Sequence, residues 1–337
     1  MQPDSVPLWK LIGQESVWGR RGIARIKTLF LPLSVILTTA KAPEERSMAP
    51  VCLFLFLSTV CWSLAAILAN DLTDKEDDGS AGKNRWICRL PAGASAMVVS
   101  GIILAGLGIL ALASPGKTSV LWDYGAATAL ALLYSAKPIR FKERGVWGLI
   151  EYGLTCVAGY VLVPWTLVGA SWISLAILAA AVFADKWVNL HFHQVMDYEA
   201  DRLRGTKTYA VVVGLDRARI SLRIGDSLAS LLLFLVFLYV AFFLGKWWLA
   251  ALLIVGGVVA GKVLHSWNAS KASLVKSELL RELSFRYLGL TYAATCILPP
   301  ILFARLAFAE PAMWIVVAAV GFLVVVNSHF SLQYRYR

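Results

Sequence analysis

Long apolar runs alternate with short polar connections along nearly the whole chain. A helix that crosses the roughly 30 Å hydrocarbon core of a bilayer needs about 20 such residues. None of the runs shows the period-two alternation that is typical of a membrane β-barrel strand. The pattern therefore predicts an all-α, polytopic membrane bundle of nine or ten transmembrane helices. The ten runs are 22–41, 50–70, 94–113, 119–134, 148–168, 171–190, 222–244, 247–264, 287–305 and 311–330.

Two runs are weaker than the others, and all the connections are short. Run 119–134 is short for a span, and run 22–41 carries basic residues in its opening turn. We expect a single transmembrane domain over 22–330, with no soluble domain inserted. Residues 1–21 contain neither the short apolar core nor the cleavage site of a signal peptide, so they predict a cytoplasmic N-terminal arm. Residues 331–337 would form a short cytoplasmic tail.

The composition supports a membrane protein. Of the 337 residues, 58% are apolar and 16% are charged. Counting the 25 glycines raises the apolar share to about 65%, against roughly 45–50% for soluble domains. This excess excludes an ordinary soluble domain and a disordered chain. The five cysteines form no Cys-x-x-Cys pair, so the sequence indicates neither a disulfide framework nor a zinc site.

The net charge of +11 is distributed unevenly between the two sides of the membrane. Most of the 32 lysines and arginines fall in the N-terminal arm and in the connections after even-numbered runs. Under the positive-inside rule this side faces the cytoplasm, so both termini are cytoplasmic and ten spans are favoured over nine. A plasma (inner) membrane is the default, with an organelle membrane as the alternative, and we expect no nucleic-acid partner. The lysines and arginines that fall elsewhere in the chain are Lys41, Arg46, Lys117, Lys186, Lys246 and Arg305.

The second run ends in a cluster of oxygen-bearing side chains. Asn70, Asp71, Asp74 and Asp78 follow the pattern N-D-x-x-D-x-x-x-D. Residues four positions apart share one face of a helix. Asn70, Asp74 and Asp78 can therefore line up where the helix leaves the membrane.

The sixth run ends in a second acidic pair on the same predicted side. Asp197 and Asp201 are four residues apart and share a helix face. Facing carboxylates repel unless cations bridge them, and oxygen ligands without a His or Cys set point to Mg²⁺. Because phosphate oxygens usually complete a Mg²⁺ site, a diphosphate is the natural third partner. Such aspartates can also be solvated helix caps, but that alternative explains one pair better than two.

Basic residues near both acidic clusters fit a diphosphate. Together with a bound metal, they would neutralise the charge of a leaving diphosphate. The segment 134–145, which reads YSAKPIRFKERG, adds several of them on the same side. The basic residues are Lys83, Arg85, Arg89, Lys137, Arg140, Lys142, Arg144, Arg202, Arg204 and Lys207.

These three segments resemble the signatures of the UbiA superfamily of intramembrane prenyltransferases, over about residues 22–305. The first cluster matches NDxxDxxxD, and the second matches DxxxD followed by Gly205, Thr208 and Gly214. The stretch GTKTYAVVVG is similar to quinone-type members. Segment 134–145 is similar to a strip of chlorophyll-synthase-like members.

The resemblance implies nine helices around a central cavity, two Mg²⁺ ions that bind an isoprenyl diphosphate, and a lipid-side tunnel for the prenyl chain. It implies that one set of residues is catalytic and holds the metal: Asn70, Asp74, Asp78, Asp197 and Asp201. A second set, which includes several of the basic residues above, would face the diphosphate: Asp71, Lys83, Arg85, Tyr134, Lys137, Arg140, Lys142, Arg202 and Lys207.

The sequence departs from the family pattern in two places. The family's Tyr-x-x-x-Lys has Pro138 at the lysine position, so we expect that charge from Lys137, Arg140 or Lys142. After the first signature many members have Arg-Pro-Ile, whereas here Arg85 is followed by Trp-Ile. The tenth apolar run also exceeds the family's nine helices. We expect these departures to affect the acceptor more than the reaction class.

The predicted function is Mg²⁺-dependent transfer of an isoprenyl group from its diphosphate to an aromatic, quinone-precursor-like or other lipophilic acceptor. A UbiA-type membrane terpene cyclase would use the same diphosphate site and is the alternative. A membrane transporter is a further alternative, for which carboxylates near mid-membrane or broken helices are expected. The acidic clusters lie at span ends instead.

The residues that would hold the acceptor are less clearly marked. Glu151, His191 and His193 are candidates for the acceptor pocket, and the two histidines fit helix packing equally well. Asp185 and Lys186 lie inside the sixth run, where ionisable residues are costly and often functional. They could also simply pair with each other.

Overall fold

The computed structural model describes residues 22–40, 47–75, 85–269 and 289–334, and this part of the chain is mainly helical. It holds ten long helices, one for each apolar run, and two short ones after the sixth. The helices are α1 Gly22–Thr39, α2 Met48–Thr73, α3 Ala92–Ala113, α4 Thr118–Ser135, α5 Val146–Val168, α6 Trp172–Met196, α7 Tyr198–Arg204, α8 Tyr209–Val213, α9 Leu215–Leu244, α10 Trp247–Ala269, α11 (289–309) and α12 Trp314–Tyr334. The predicted all-α bundle is confirmed.

Short turns complete the secondary structure, and no β-strand occurs in the described ranges. The turns of 3₁₀ helix are Trp86–Arg89, Phe141–Glu143 and Pro311–Met313. Two π-helical turns, Ala158–Leu162 and Ala293–Ile297, interrupt α5 and α11. Such π turns within α-helices are frequent at functional sites.

The described helices make the protein an integral membrane protein. Six of them are long and apolar enough to cross a bilayer: α2, α3, α5, α6, α9 and the part of α11 from Leu290 to Ala309. Shorter apolar segments cover 27–39, 247–259 and 311–324 in α1, α10 and α12. The number of crossings, nine or ten, stays a prediction.

The predicted domain boundaries are not decided by these helices. The arm 1–21 lies outside the described residues. Helix α12 continues to Tyr334, past the predicted end of the domain at 330. No Gly or Pro occurs in its last turns to stop it.

Helix α1, one of the two weaker predicted spans, is buried over its described side chains from Thr28 to Thr39. Leu29, Phe30, Leu33 and Ile36 are each 0% exposed. The helix packs against α2, α5, α11 and α12. Because its partners are protein helices, the basic residues in its first turn do not prevent it from being a core element.

Other helices turn apolar side chains outward. In α3, Leu104 and Leu112 are exposed, and in α9, Phe242 is exposed. In water such surfaces would be costly. In a bilayer they are the lipid-facing side of the bundle.

Glu310, between α11 and α12, caps the N-terminus of α2. Its carboxylate accepts hydrogen bonds from the backbone N–H groups of Met48, at 2.8 Å, and Ala49, at 3.2 Å, and from the hydroxyl of Ser47. Burial raises the pKa of Glu310, but these hydrogen bonds outweigh it and hold the pKa below its ordinary value. The cap fixes the end of α2 that is remote from its acidic motif.

Candidate active site

The first acidic motif lies at the C-terminal end of α2, where Asn70 and Asp74 face each other across one helical turn. The amide nitrogen of Asn70 donates to Oδ2 of Asp74 at 3.1 Å. The hydroxyl of Ser135, in the last turn of α4, donates to Oδ1 of Asn70 at 2.6 Å. These bonds orient two oxygen-bearing groups at the helix end.

The loop between α4 and α5 brings two cations to the same carboxylate. Nη2 of Arg140 lies 3.3 Å from Oδ1 of Asp74, and Nζ of Lys142 contacts the same oxygen. Nε of Arg140 pairs with Glu143 at 2.6 Å. Arg140 adopts the left-handed region, with φ of 41°, which is strained for a residue with a side chain. We attribute the strained backbone conformation of Arg140 to the position that its guanidinium takes beside Asp74.

A glycine allows α5 to approach this loop closely. A Cβ added at Gly148 would lie 2.7 Å from the carbonyl oxygen of Phe141 and 3.2 Å from Cα of Lys142. A larger residue would push the loop away from α5. Gly148 therefore helps to set the position of Lys142 above the end of α2.

The second acidic motif is joined to the same loop through the backbone. The N–H of Gly145 donates to the carbonyl of Lys207 at 3.0 Å, and Gly145 forms a parallel bridge with Thr208. Gly145 has a φ of 56°, which a glycine adopts without strain. The loop after the second motif is thus fixed beside the basic segment 134–145.

Asp197 and Asp201 occupy the junction of α6 and α7. Asp197 ends α6, and the N–H of Asp201 donates to its carbonyl at 2.8 Å. Burial and the neighbouring Asp197 carboxylate raise the pKa of Asp201. Gly205, with φ of 71°, ends α7. A bound cation would relieve the repulsion between the two carboxylates.

The side chains present fit a Mg²⁺ site that substrate oxygens complete. Among the residues with described positions, no three His, Cys, Asp or Glu side chains converge to form a protein-only site. The motifs instead supply oxygen pairs: Asn70 with Asp74, and Asp197 with Asp201. Mg²⁺ typically takes one or two carboxylates, waters and substrate phosphates, which matches this set.

Asp78 of the first motif and Lys83, which follows it, lie outside the described residues. Asp71 of the motif and Arg85 after it pair with each other. Asp71 is buried, and its Oδ1 lies 3.7 Å from Nε of Arg85. The thiol of Cys88 also donates to the carbonyl of Asp71 at 3.2 Å. These contacts tie the turn after the motif to α2.

The remaining residues that were predicted to face the diphosphate differ in their solvent exposure. Lys137, Arg202 and Lys207 are exposed, and Arg202 pairs with Glu199 at 3.1 Å on the surface. Of the three residues proposed to replace the family's lysine, Arg140 and Lys142 are the two that contact Asp74. Tyr134 packs against Tyr152 of α5, with ring centroids 5.8 Å apart.

The three candidates for the acceptor pocket have different surroundings. His191 is fully buried among helices, with its ring 5.1 Å from that of Tyr209. His193 is exposed and shares a helix face with Asp197. Glu151 is buried, and its Oε1 accepts a hydrogen bond from Thr155 at 2.5 Å. Burial favours the packing interpretation for His191, and all three residues stay candidates for the acceptor pocket.

Sequence reasoning missed Ser135, Glu143 and Gly148. Ser135 follows Tyr134 directly and belongs to segment 134–145, so its position in the sequence could have marked it as a site residue. Glu143 lies in the same segment, but nothing in its spacing marks it as the partner of Arg140. Gly148 gave no local signal, because its role depends on a neighbouring loop.

A family comparison settles the relationship of the chain. The model of the UbiA prenyltransferase family matches residues 29–279. The chain belongs to this family. It is therefore a membrane prenyltransferase, and the resemblance on which the sequence analysis relied is confirmed. Among curated protein sequences, none matches the chain.

Solved structures of the UbiA fold align with 81–91% of this chain. A UbiA homolog from Archaeoglobus fulgidus bound to DMAPP and Mg²⁺ has a TM-score of 0.55 at 18% identity, covering 91% of this chain and 98% of its own. The apo structure of a UbiA homolog from Aeropyrum pernix K1 has a TM-score of 0.54 at 16% identity, covering 81% and 97%. A digeranylgeranylglyceryl phosphate synthase has a TM-score of 0.50 at 17% identity, covering 82% and 94%. At these identities the likeness establishes the fold.

Proposed function

We propose that this UbiA family member transfers an isoprenyl group from an isoprenyl diphosphate to a lipophilic acceptor, in a reaction that requires Mg²⁺. An aromatic, quinone-precursor-like acceptor is the preferred class. The observation that carries the proposal is the cluster of Asn70, Asp74, Arg140 and Lys142, which places metal-type oxygens and phosphate-type cations at one point. The Archaeoglobus homologs bound to GPP or DMAPP with Mg²⁺ support the same donor class.

The proposed roles follow from the contacts. Asn70 and Asp74 on one side, and Asp197 and Asp201 on the other, would hold Mg²⁺, with Asp78 as a further ligand. Two ions are proposed, one for each motif. When bound, Mg²⁺ would supply positive charge to the diphosphate oxygens.

The basic residues stabilise the leaving group. Arg140 and Lys142 would exchange part of their contact with Asp74 for the diphosphate oxygens and donate hydrogen bonds to them. The C–O bond of the allylic carbon breaks, and its electron pair leaves with the diphosphate. The acceptor supplies the electron pair of the new bond and loses a proton, which the released diphosphate can accept. The apolar bundle keeps water from the allylic cation.

The orientation is also a proposal. The positive-inside distribution of lysine and arginine supports an active site and both termini on the cytoplasmic side. A plasma (inner) membrane is the proposed location.

The test uses purified full-length protein in detergent with Mg²⁺ and radiolabelled geranylgeranyl or farnesyl diphosphate. The acceptor panel comprises para-hydroxybenzoate, dihydroxynaphthoate, homogentisate, a chlorophyllide, a glycerol phosphate and none. We expect a labelled adduct and diphosphate release, both abolished by EDTA. A cyclic product without any acceptor would instead establish the cyclase, and absence of donor binding and release would refute the proposal.

Matched variants test the site assignment. Asp74→Ala and Asp197→Ala should nearly abolish turnover while leaving the melting temperature close to that of the wild type. Asp123→Ala, near the opposite end of α4, removes a carboxylate remote from the site and should keep turnover. Full activity in either Asp74→Ala or Asp197→Ala would contradict the assignment.

A further inference from the structure

An ion pair lies inside the bundle, beyond the diphosphate site. In α6, Nζ of Lys186 is 2.8 Å from Oδ2 of Asp185. The hydroxyl of Thr291, from α11, lies 3.5 Å from the other carboxylate oxygen. The side chains of Lys186 and Asp185 are 14% and 11% exposed, so packing does not seal them completely. A small part of each side chain therefore stays uncovered by protein and is available for contact with a hydroxyl.

Two tyrosines connect this pair to the donor site. The ammonium of Lys186 interacts electrostatically with the phenol of Tyr152 on α5. The ring of Tyr152 contacts that of Tyr134, which begins the basic segment 134–145. A path of neighbouring side chains, Lys186, Tyr152 and Tyr134, thus runs from the ion pair to the basic segment. An acceptor that binds at the pair would extend along this path toward the donor.

The two helices that approach the pair each contain a π turn. Tyr152 precedes the π turn Ala158–Leu162 in α5, and Thr291 precedes the π turn Ala293–Ile297 in α11. Regular helices with apolar side chains would pack here at lower cost, since buried ion pairs seldom add stability over apolar replacements. Ionisable residues and π turns kept at membrane depth are both typical of functional sites.

The chemistry of the pair selects a hydroxyl group. An ammonium has three donors, of which Asp185 takes one, and a carboxylate is an acceptor. A hydroxyl can accept from Lys186 and donate to Asp185 at the same time. An anionic carboxylate in that place would be attracted by Lys186 but repelled by Asp185, so the pair would not offset the larger cost of removing a carboxylate from water.

We propose that Asp185, Lys186, Tyr152 and Thr291 form a subsite that binds the hydroxyl of an uncharged, hydroxyl-bearing acceptor. The inference rests on the proposed function, since it needs a prenyl acceptor beside the donor. It narrows the acceptor class to neutral phenols and alcohols over carboxylated rings.

Binding of two matched probes tests the subsite without requiring turnover. Dihydroxynaphthalene and its carboxylated counterpart dihydroxynaphthoate are titrated into the full-length protein, and tryptophan fluorescence reports their Kd values. We expect the neutral probe to bind at least about tenfold more tightly, because like charges in close contact are costly. Equal binding, tighter binding of the carboxylate, or binding of neither probe overturns the proposal.

Variants of the pair should shift this preference in opposite directions. Asp185→Asn removes the negative charge, so it should narrow or reverse the preference for the neutral probe. Lys186→Gln should weaken both probes, and the carboxylate more. Tyr124→Phe, which removes a buried hydrogen bond to Ser58 elsewhere in the bundle, should leave the Kd ratio unchanged. A purely structural ion pair would lower the melting temperature in both variants without moving the ratio, and this result would refute the subsite.

Two further measurements separate the possible failures. Donor affinity, measured with labelled geranylgeranyl diphosphate and Mg²⁺, should be unchanged in the pair variants. If the wild type binds no donor, the proposed function has failed, whereas normal donor binding with an unmoved probe ratio refutes the subsite alone. Should the pair variants not fold, Thr291→Val and Tyr152→Phe, which remove one hydroxyl each, should weaken the neutral probe, and unchanged binding in both would overturn the proposal.

Discussion

Replacing Lys142 by methionine tests whether the contact with Asp74 marks the diphosphate site. Methionine keeps most of the length and apolar character of the lysine stem while it removes the charge. Asp74 would retain Arg140, so the loop between α4 and α5 should keep its position. We expect the variant to fold but to bind and ionise the donor less well.

The magnitude follows from the burial of the group. The Lys142 and Asp74 side chains are 15% and 18% exposed, so solvent screens this charge only weakly. A hydrogen bond to a charged group in such a place is worth about 1.5–3 kcal/mol. At about 1.4 kcal/mol for each tenfold change, the loss in kcat/KM for the donor is about 10- to 150-fold.

The assay measures Mg²⁺-dependent diphosphate release from the labelled donor over a range of donor concentrations. Lys137→Met, in the same loop, is the comparison because Lys137 is exposed and its charge is screened by water. Its effect should be below about twofold, as is usual for exposed charges. Melting temperatures of both variants establish that they are folded.

Equal effects of the two substitutions would refute the reasoning. A larger loss in Lys137→Met would show that the exposed lysine supplies the charge of the family's Tyr-x-x-x-Lys. No loss in either variant is one case of equal effects, and it would leave Arg140 and Arg144 as the remaining cations of this loop.

Three other substitutions test the architecture around the site and at the opposite end of α2. Gly148→Ala would place a Cβ 2.7 Å from the carbonyl oxygen of Phe141, so it should displace the loop between α4 and α5 and lower kcat/KM. Gly125→Ala is the control, because a Cβ there would meet nothing within 4 Å, and equal activities of the two variants would contradict this prediction. Glu310→Gln should lower the melting temperature at neutral pH. Because the folded state holds the pKa of Glu310 below its ordinary value of 4.5, the difference from the wild type should vanish as the pH falls through that lowered pKa, and a pH-independent difference would exclude the charge as its cause. Asp71→Asn should destabilise the fold by weakening the buried contact with Arg85 while leaving donor KM unchanged. A raised donor KM without a stability loss would instead support the prediction that Asp71 faces the diphosphate.

The apolar runs were sufficient to predict the helical bundle. A bilayer requires every backbone group to be satisfied within a helix, so length and composition decide the element type almost alone. The N-x-x-x-D spacing likewise places Asn70 and Asp74 on one face through helix geometry, and the observed hydrogen bond between them agrees. These are local properties, and local properties can be read from a sequence.

The tertiary structure decided which of the many basic residues meet the acidic motifs. Arg140 reaches Asp74 through a left-handed backbone conformation, and Lys142 reaches it because Gly148 allows a close helix approach. Asp71 belongs to the first motif and Arg85 follows it in sequence, yet these two residues pair with each other. Spacing cannot distinguish these cases, because the loop conformation between α4 and α5 depends on contacts with α2, α5 and residue 207.

The sequence by itself determined the class of molecule: an all-α membrane protein with metal-type carboxylates and phosphate-type cations at the ends of its spans. Hydrophobic period and helix register are short-range quantities that the local residue order sets. Only the tertiary structure decided that α1 is an enclosed core helix and that Asp185 and Lys186 meet helices α5 and α11. Both facts depend on which helices become neighbours, and neighbours distant in sequence are selected by the packing of the whole bundle.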